Sequence, residues 1–412
     1  MAARKIILVA IGSDGDINPM IAIARELAAL GHDVEFLSNE YFRSKVESVG
    51  VKFVSVGDLA TFEKTLQQEG IWDPFRSFQT MWKTLYPTLP QILDELDRRV
   101  TPETIMVGTS LAFPARIMQE LGRAKLVTVH LSPSILMTPS SPPAGPLGEF
   151  PSGAPHALKE IFTGILDHFL VDATCAEDLN SLRSKYALPP VQHVFSKWAH
   201  SPERVICMWP EWFAPPQDDW PPNSICTGFP IYQHARTYSL SAETQEFLDA
   251  GAPPVVFTAG TAMAQSAKHF RCALEAVRDT SMRAIFVSRF KDQIPAALPP
   301  NVHYTPFEPF DQLFPLAAAV QHHAGIGTSI QTLAAGRPQQ LVPFAFDQFD
   351  NTVRLQRLGV AVASRHYRAS AWRCDLTRLL TGKTIAKKCA EAKHLMENEE
   401  QSVARAAQVI LM

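Results

Sequence analysis

Two short turns carry side chains whose types and spacing could do chemistry. The first is IGSDGDINP (11–19), which leaves the apolar run KIILVAI and places Asp14 and Asp16 within one turn. Two carboxylates there would repel a phosphate, and no GxGxxG pattern is present to cradle one. A carboxylate at the carboxyl end of a strand is instead placed to accept a proton; either aspartate could equally well tidy the turn or cap the following helix. The second is QHHAGIGTSIQTLAAGRP (321–338), which leaves a strand through His322 and His323, passes Gly325 and Gly327, and enters a helix expected to open at Thr328. Glycines let the backbone approach a ligand closely, and the free N–H groups at a helix start face it, which suits a diphosphate. After the next strand, FAFDQFDN (344–351) sets Asp347 and Gln348 side by side, able to bond neighbouring hydroxyls, although Asp347 could also serve as a helix N-cap. A phosphate cradle beside a hydroxyl reader is the layout expected for a sugar nucleotide.

Such turns need strands behind them. Short apolar runs at 5–11, 33–38, 52–56, 104–109 and 125–131 alternate with helical patterns, then recur at 204–209 and 224–228. A second series runs 253–260, 283–288, 318–323 and 339–344, with helices near 265–278, 347–358 and from about 385 to the C-terminus. Alternation of this kind means parallel sheets covered by helices on both faces. The first helix is expected over 19–30, with Asn18 as N-cap and Pro19 at the first helical position. The fold class is therefore α/β, two doubly wound Rossmann-like domains facing across a cleft. The divisions are an N-terminal domain 1–228, a linker 229–245, a C-terminal domain 246–397 and a C-terminal helix 398–412 that could pack back on the first domain.

Composition limits the partners. With 38 Lys+Arg against 41 Asp+Glu, the chain of 412 residues has no electrostatic footprint for nucleic acid. Six scattered cysteines with no CxxC pair argue for free thiols in a reducing cytoplasm rather than disulfides or zinc. No apolar run approaches the ~18 residues of a membrane span. Of the 32 prolines, seven fall between Pro133 and Pro155 and eight between Pro189 and Pro222, so stiff loops are expected there, bordering an acceptor pocket. Asp218 and Asp219, in the second cluster, read as a solvated pair. Residues 71–90 supply Trp72, Phe78 and Trp82, whose bulk suits the wall of an apolar pocket or, at helical spacing, a core.

These residues carry a resemblance. H-H-x-G-x-G-T followed by P-x-x-x-D-Q, over 322–348, resembles the donor-site signature of the inverting family-1 glycosyltransferases of GT-B fold. I-G-S-D-G-D-I-N-P resembles the G-S-x-G-D-x-x-P turn of the bacterial and sterol-modifying branch of that family. CAEDLNSLRSKYAL (175–188), WPEWFAPPQDDWP (209–221), TGFP (227–230) and FDQFDNTVRLQRLG (346–359) are similar to the rhamnosyltransferases of rhamnolipid synthesis. The resemblance implies Asp16 as general base, Thr261, His323, Gly325, Gly327 and Thr328 around the donor diphosphate, Asp347 and Gln348 on the donor sugar, and Phe307 beneath the base. Other branches carry a histidine base oriented by an acid after the fourth strand. Here that stretch reads Gly108-Thr109-Ser110-Leu111, so Asp16 is expected to act alone. Ala324 stands where glycine is frequent.

The implied reaction is a metal-independent single displacement from a nucleotide-sugar co-substrate, with no cofactor. The favoured donor is dTDP-L-rhamnose and the favoured acceptor a 3-(3-hydroxyalkanoyloxy)alkanoate lipid. UDP-glucose with a flavonoid- or sterol-like aglycone is the alternative, and a sugar-nucleotide epimerase is a rival from another class. A lipid acceptor leaves room for peripheral contact of this cytoplasmic protein with the inner membrane.

Overall fold

The computed structural model describes residues 2–68, 70–231 and 239–412. The middle of the expected linker, 232–238, lies outside the described residues. The chain divides into two compact units: Met1–Pro230 with Ala345–Asp350 and Gln401–Met412, and Ile231–Phe344 with Asn351–Glu400.

The first unit is built on seven strands, β1 (Lys5–Val9), β2 (Asp33–Ser38), β3 (Lys52–Ser55), β4 (Ile105–Thr109), β5 (Lys125–His130), β6 (Arg204–Cys207) and β7 (Ser224–Cys226). They lie in the order β3-β2-β1-β4-β5-β6-β7, and every pairing is parallel. In β1 the residues from Ile6 to Val9 are fully buried, which is why the run is apolar without alternation. One face is covered by the helices Leu89–Asp97, Phe113–Glu120 and Ala173–Ser184, whose Leu93, Ile117 and Leu179 meet Ile7 and Val9 in one cluster. The other is covered by the helix Asp14–Ala29 and by the last helix, Ser402–Leu411, whose Ala406, Ala407 and Ile410 join Ile21 and Ala24. Ser402 Oγ donates to the Phe229 carbonyl at 2.5 Å and Arg405 Nε to that of Thr227 at 2.9 Å, fixing that helix to the end of the sheet.

The second unit repeats the topology with β8 (Val255–Thr258), β9 (Ala284–Val287), β10 (Val302–Thr305), β11 (Ala319–His322), β12 (Gln339–Leu341) and β13 (Ala361–Ala363), in the order β10-β9-β8-β11-β12-β13. β10 and β13 are edge strands that the sequence patterning does not reveal. In both units the strand order reverses beside the first strand, between β1 and β4 and between β8 and β11. Ligands of doubly wound sheets bind outside the carboxyl ends at that point.

Several local expectations are corrected. The first helix begins at Asp14, with Ser13 as N-cap, and Pro19 lies inside it. The pattern S-x-x-D at 13–16, an acid reaching back to the cap, outcompetes Asn18-Pro19 as a start signal. The helix in the second turn begins at Ile326, not Thr328, with Gly325 as its cap. The C-terminal pattern is two helices, Lys383–Glu397 and Ser402–Leu411. Asp219 is not simply solvated. Its Oδ2 accepts from the Ser140 N–H at 2.7 Å, so it ties the second proline-rich stretch to the first. Four cysteines are buried, while Cys226 is half-buried and Cys374 exposed. Among the described residues no helix is long and apolar enough to cross a membrane.

Because the last helix completes the cover of the first sheet, Ile410→Ala should cost about 2–5 kcal/mol. Denaturant unfolding followed by tryptophan emission should show the first unit melting earlier.

Candidate active site

At the end of β1 the chain passes Gly12, whose φ of 140° and lack of a Cβ are both required. A Cβ there would stand 2.3 Å from Asp16 Oδ2. That oxygen accepts from the Ser13 N–H at 2.8 Å and from Ser13 Oγ at 3.1 Å. The carboxylate is thus folded back over the turn at the first turn of its own helix. Burial raises the Asp16 pKa above the ordinary aspartate value. The Ser13 hydrogen bonds oppose that shift, and the charge of Asp14 adds to it. Asp14 is occupied differently, in an ion pair with Lys45 from the helix Arg43–Glu47. Both aspartates are half-buried, and their partners differ: Asp14 is held in an ion pair, and Asp16 is a carboxylate at the β1/β4 reversal whose pKa burial raises.

In the second unit the corresponding reversal joins the turns after β8 and β11. The His323 ring lies between two glycines: a Cβ on Gly260 would come within 2.6 Å of its Cε1, and one on Gly325 within 2.2 Å of its Nε2. Phe344 runs nearly parallel to the ring, 12° from coplanar at 6.5 Å. Thr261 follows Gly260 and is exposed, whereas Thr328 is buried in the first helical turn. The first N–H groups of the helix Ile326–Ala335, those of Gly327 and Thr328 among them, have no carbonyl within that helix to bond.

His322 holds this turn rather than forming part of its surface. Its Nε2 bonds Gln339 Oε1 at 2.8 Å, and its Nδ1 accepts from the Ala324 N–H at 3.1 Å. Asn351 Nδ2 donates to the Ala324 carbonyl at 3.0 Å. Ala324, held at both ends, adopts φ 63°, the left-handed region that glycine would enter without strain. His323 uses less of its capacity: its Nδ1 is buried with no hydrogen-bond partner among the described residues. Burial, then the neighbouring His322 and His269, pushes its pKa down to about 3, and burial holds His322 and His269 at about 4. At neutral pH all three imidazoles are uncharged. His323 is therefore a hydrogen-bonding group and not the weak cation its residue type suggests.

Asp347 and Gln348 fall in the segment Ala345–Asp350, which packs with the first unit. Asp347 is half-buried in a turn, and Gln348 opens the helix Gln348–Arg357 with its Oε1 accepting from the Ala345 N–H at 3.1 Å. The preceding Phe346, at φ 56°, meets Trp72 edge-on at 6.1 Å. Trp72 is thereby brought beside the Asp347 segment, as sequence spacing alone could not show. Trp82 is not. It is 2% exposed, and its Nε1 donates to Asp178 at 2.8 Å. Phe78 is half-buried and packs against the same core, its ring 5.4 Å from that of Phe195. Phe307 is 53% exposed on the loop after β10.

Residues 6–95 match the family model of the glycosyltransferase family 28 N-terminal domain, and residues 278–408 that of the erythromycin biosynthesis protein CIII-like C-terminal domain. The chain is a GT-B glycosyltransferase. It is 26% identical over 376 residues to a sterol 3-beta-glucosyltransferase of Arabidopsis thaliana, covering 87% of this chain and 60% of that longer enzyme. It is 28% identical over 368 residues to a vancomycin aglycone glucosyltransferase of Amycolatopsis orientalis, covering 87% of this chain and 85% of the relative. The solved structure of a calicheamicin glycosyltransferase shares the fold, with a TM-score of 0.73 at 18% identity over 100% of this chain and 98% of that one. The relatives are transferases, not epimerases.

For this glycosyltransferase the two glycines around His323 are a sensitive point. Gly260→Ala or Gly325→Ala should displace the imidazole and weaken binding of a nucleoside diphosphate, measured by calorimetry, by about 10²-fold. Ala324→Gly should leave the melting temperature unchanged or raise it slightly. The left-handed strain it relieves, about 1–2 kcal/mol, matches or exceeds the backbone entropy it adds, about 0.5–1 kcal/mol.

Proposed function

We propose that this protein is an inverting glycosyltransferase in which Asp16 takes the proton of an apolar acceptor's hydroxyl as that hydroxyl attacks the anomeric carbon of a nucleotide sugar. The observation that carries the reading is the state of Asp16, desolvated, raised in pKa and oriented by Ser13. A raised pKa makes the ionised carboxylate a better base. It remains far too weak to ionise an alcohol in advance, so proton transfer is concerted with attack.

On the donor side, the N–H groups opening the helix Ile326–Ala335, the neutral His323 ring and the Thr261 hydroxyl would bond the diphosphate and stabilise it as it leaves. A neutral imidazole is suited to this because it retains its donor across the working pH range. Asp347 and Gln348 would bond the sugar hydroxyls, and Phe307 offers an exposed ring for the base. The sugar itself would be rhamnose from dTDP-rhamnose, carried to a 3-(3-hydroxyalkanoyloxy)alkanoate. The support is the likeness of segments 175–188, 209–221 and 346–359 to rhamnolipid rhamnosyltransferases. Glucose from UDP-glucose, carried to a sterol-like or other polycyclic aglycone, is the second reading, supported by the glucosyltransferases among the relatives. A panel of dTDP-rhamnose and UDP-glucose against one lipid and one sterol, with products identified by mass, separates the two.

Asp16→Asn should reduce turnover by about 10²–10⁴-fold with nucleotide affinity intact. In the wild type, kcat/KM should fall as pH drops through the Asp16 pKa, because protonation removes the base. The acid limb should therefore lie above the ordinary aspartate value of 3.8. Full turnover in Asp16→Asn, or an acid limb at or below that value, would overturn the assignment.

A further inference from the structure

Beyond Asp16, the β1/β4 reversal holds a polar chain that the proposed mechanism does not use. β4 pairs with β1 in the register Val9↔Gly108, and the Ile11 N–H donates to Thr109 Oγ1 at 3.2 Å, so the turns after the two strands are joined. Ser110, the next residue, is half-buried. Its Oγ lies 2.8 Å from Nδ1 of His130, at the end of the neighbouring β5. His130 Nε2 lies 2.9 Å from His200 Nδ1, the two rings standing at 88°. Both imidazoles are buried, and His200 Nε2 has no hydrogen-bond partner among the described residues.

Two buried histidines in series, the last with an unsatisfied nitrogen, are a costly way to hold one serine if packing is the only purpose. They also give that serine an unusual property. If His130 Nε2–H points to His200, His130 Nδ1 accepts the Ser110 proton and the serine offers only lone pairs. If His200 Nδ1–H points back, His130 Nδ1–H donates to Ser110 and the serine can donate outward. Burial holds His130 well below the usual histidine range and His200 at about 4, the Phe195 backbone opposing the shift of the latter and the Arg116 charge adding to it. The chain therefore adds no positive charge and suits a neutral oxygen rather than a carboxylate.

We propose that Ser110, backed by His130 and His200, is a positioning and specificity residue that binds a second, neutral oxygen of the acceptor next to the hydroxyl presented to Asp16. It cannot share the reacting hydroxyl usefully, because that group's only proton goes to Asp16 and a bond donated to its oxygen would blunt the attack. The favoured acceptors are then those with an ester or hydroxyl oxygen close to the glycosylated position, over alcohols with a lone hydroxyl. The inference rests on the proposal that the first unit binds the acceptor.

The test uses the full chain and two neutral probes with the same ten-carbon chain and hydroxyl position, methyl 3-hydroxydecanoate and 3-decanol, titrated calorimetrically. The wild type should bind the hydroxy ester about three- to tenfold more tightly. Ser110→Ala should abolish that preference by weakening the ester alone, Ser110→Thr should restore it, and nucleoside diphosphate affinity should not change. Equal binding of the two probes by the wild type, no binding of either, or a preference that survives in Ser110→Ala would overturn the inference. Transfer by Asp16→Asn is read separately. Full activity there would refute the base while leaving a Ser110-dependent preference standing.

Discussion

The contact between the Asp16 carboxylate and the Ser13 N–H and hydroxyl is the constraint on which the first unit's chemistry depends. It closes the start of the first helix, where an anion is favoured by unpaired N–H groups and the helix dipole. It also turns the carboxylate back over Gly12, a position where any Cβ would collide with it. Two opposite influences meet at that atom: the hydrogen bonds favour the charged form, desolvation disfavours it, and desolvation is the larger. One side chain thus closes the start of the helix and has its pKa raised, and the same geometry does both.

The second unit has the same strand order and answers the opposite chemical demand. Where the first places a carboxylate at the reversal, the second places an imidazole between two glycines and an open helix start. Burial, more than any neighbouring charge, sets the state of its three histidines. His322 and Asn351 hold Ala324 in a left-handed conformation, and that peptide aims the helix start. The division of labour is therefore written in the loops, while the sheets supply only the placement.

Much of this was legible in the residues. Fully buried strands such as KIILV and VVFT announce themselves as unbroken apolar runs, and the two turns differ visibly in charge. The edge strands β10 and β13 were not legible, because runs of four and three residues carry too little pattern. The first helix start was misplaced because Asn18-Pro19 is a good local signal, beaten by a capping contact that needs the Gly12 turn to form. Trp82 has the composition of a pocket wall, and only its bond to Asp178, 96 residues away, shows it to be core. The Ser110–His130–His200 chain joins residues 20 and 70 positions apart through adjacent strand ends, so no linear motif could reveal it.

The most direct measurement is the titration of Asp16 itself, by ¹³C NMR of the labelled carboxyl with Asp16→Asn used to assign the signal. The expected result is a midpoint clearly above 3.8, moving further upward when Ser13→Ala removes the hydroxyl bond. A midpoint at or below that value would mean that the cap, and not desolvation, governs the carboxylate, and would contradict its role as base.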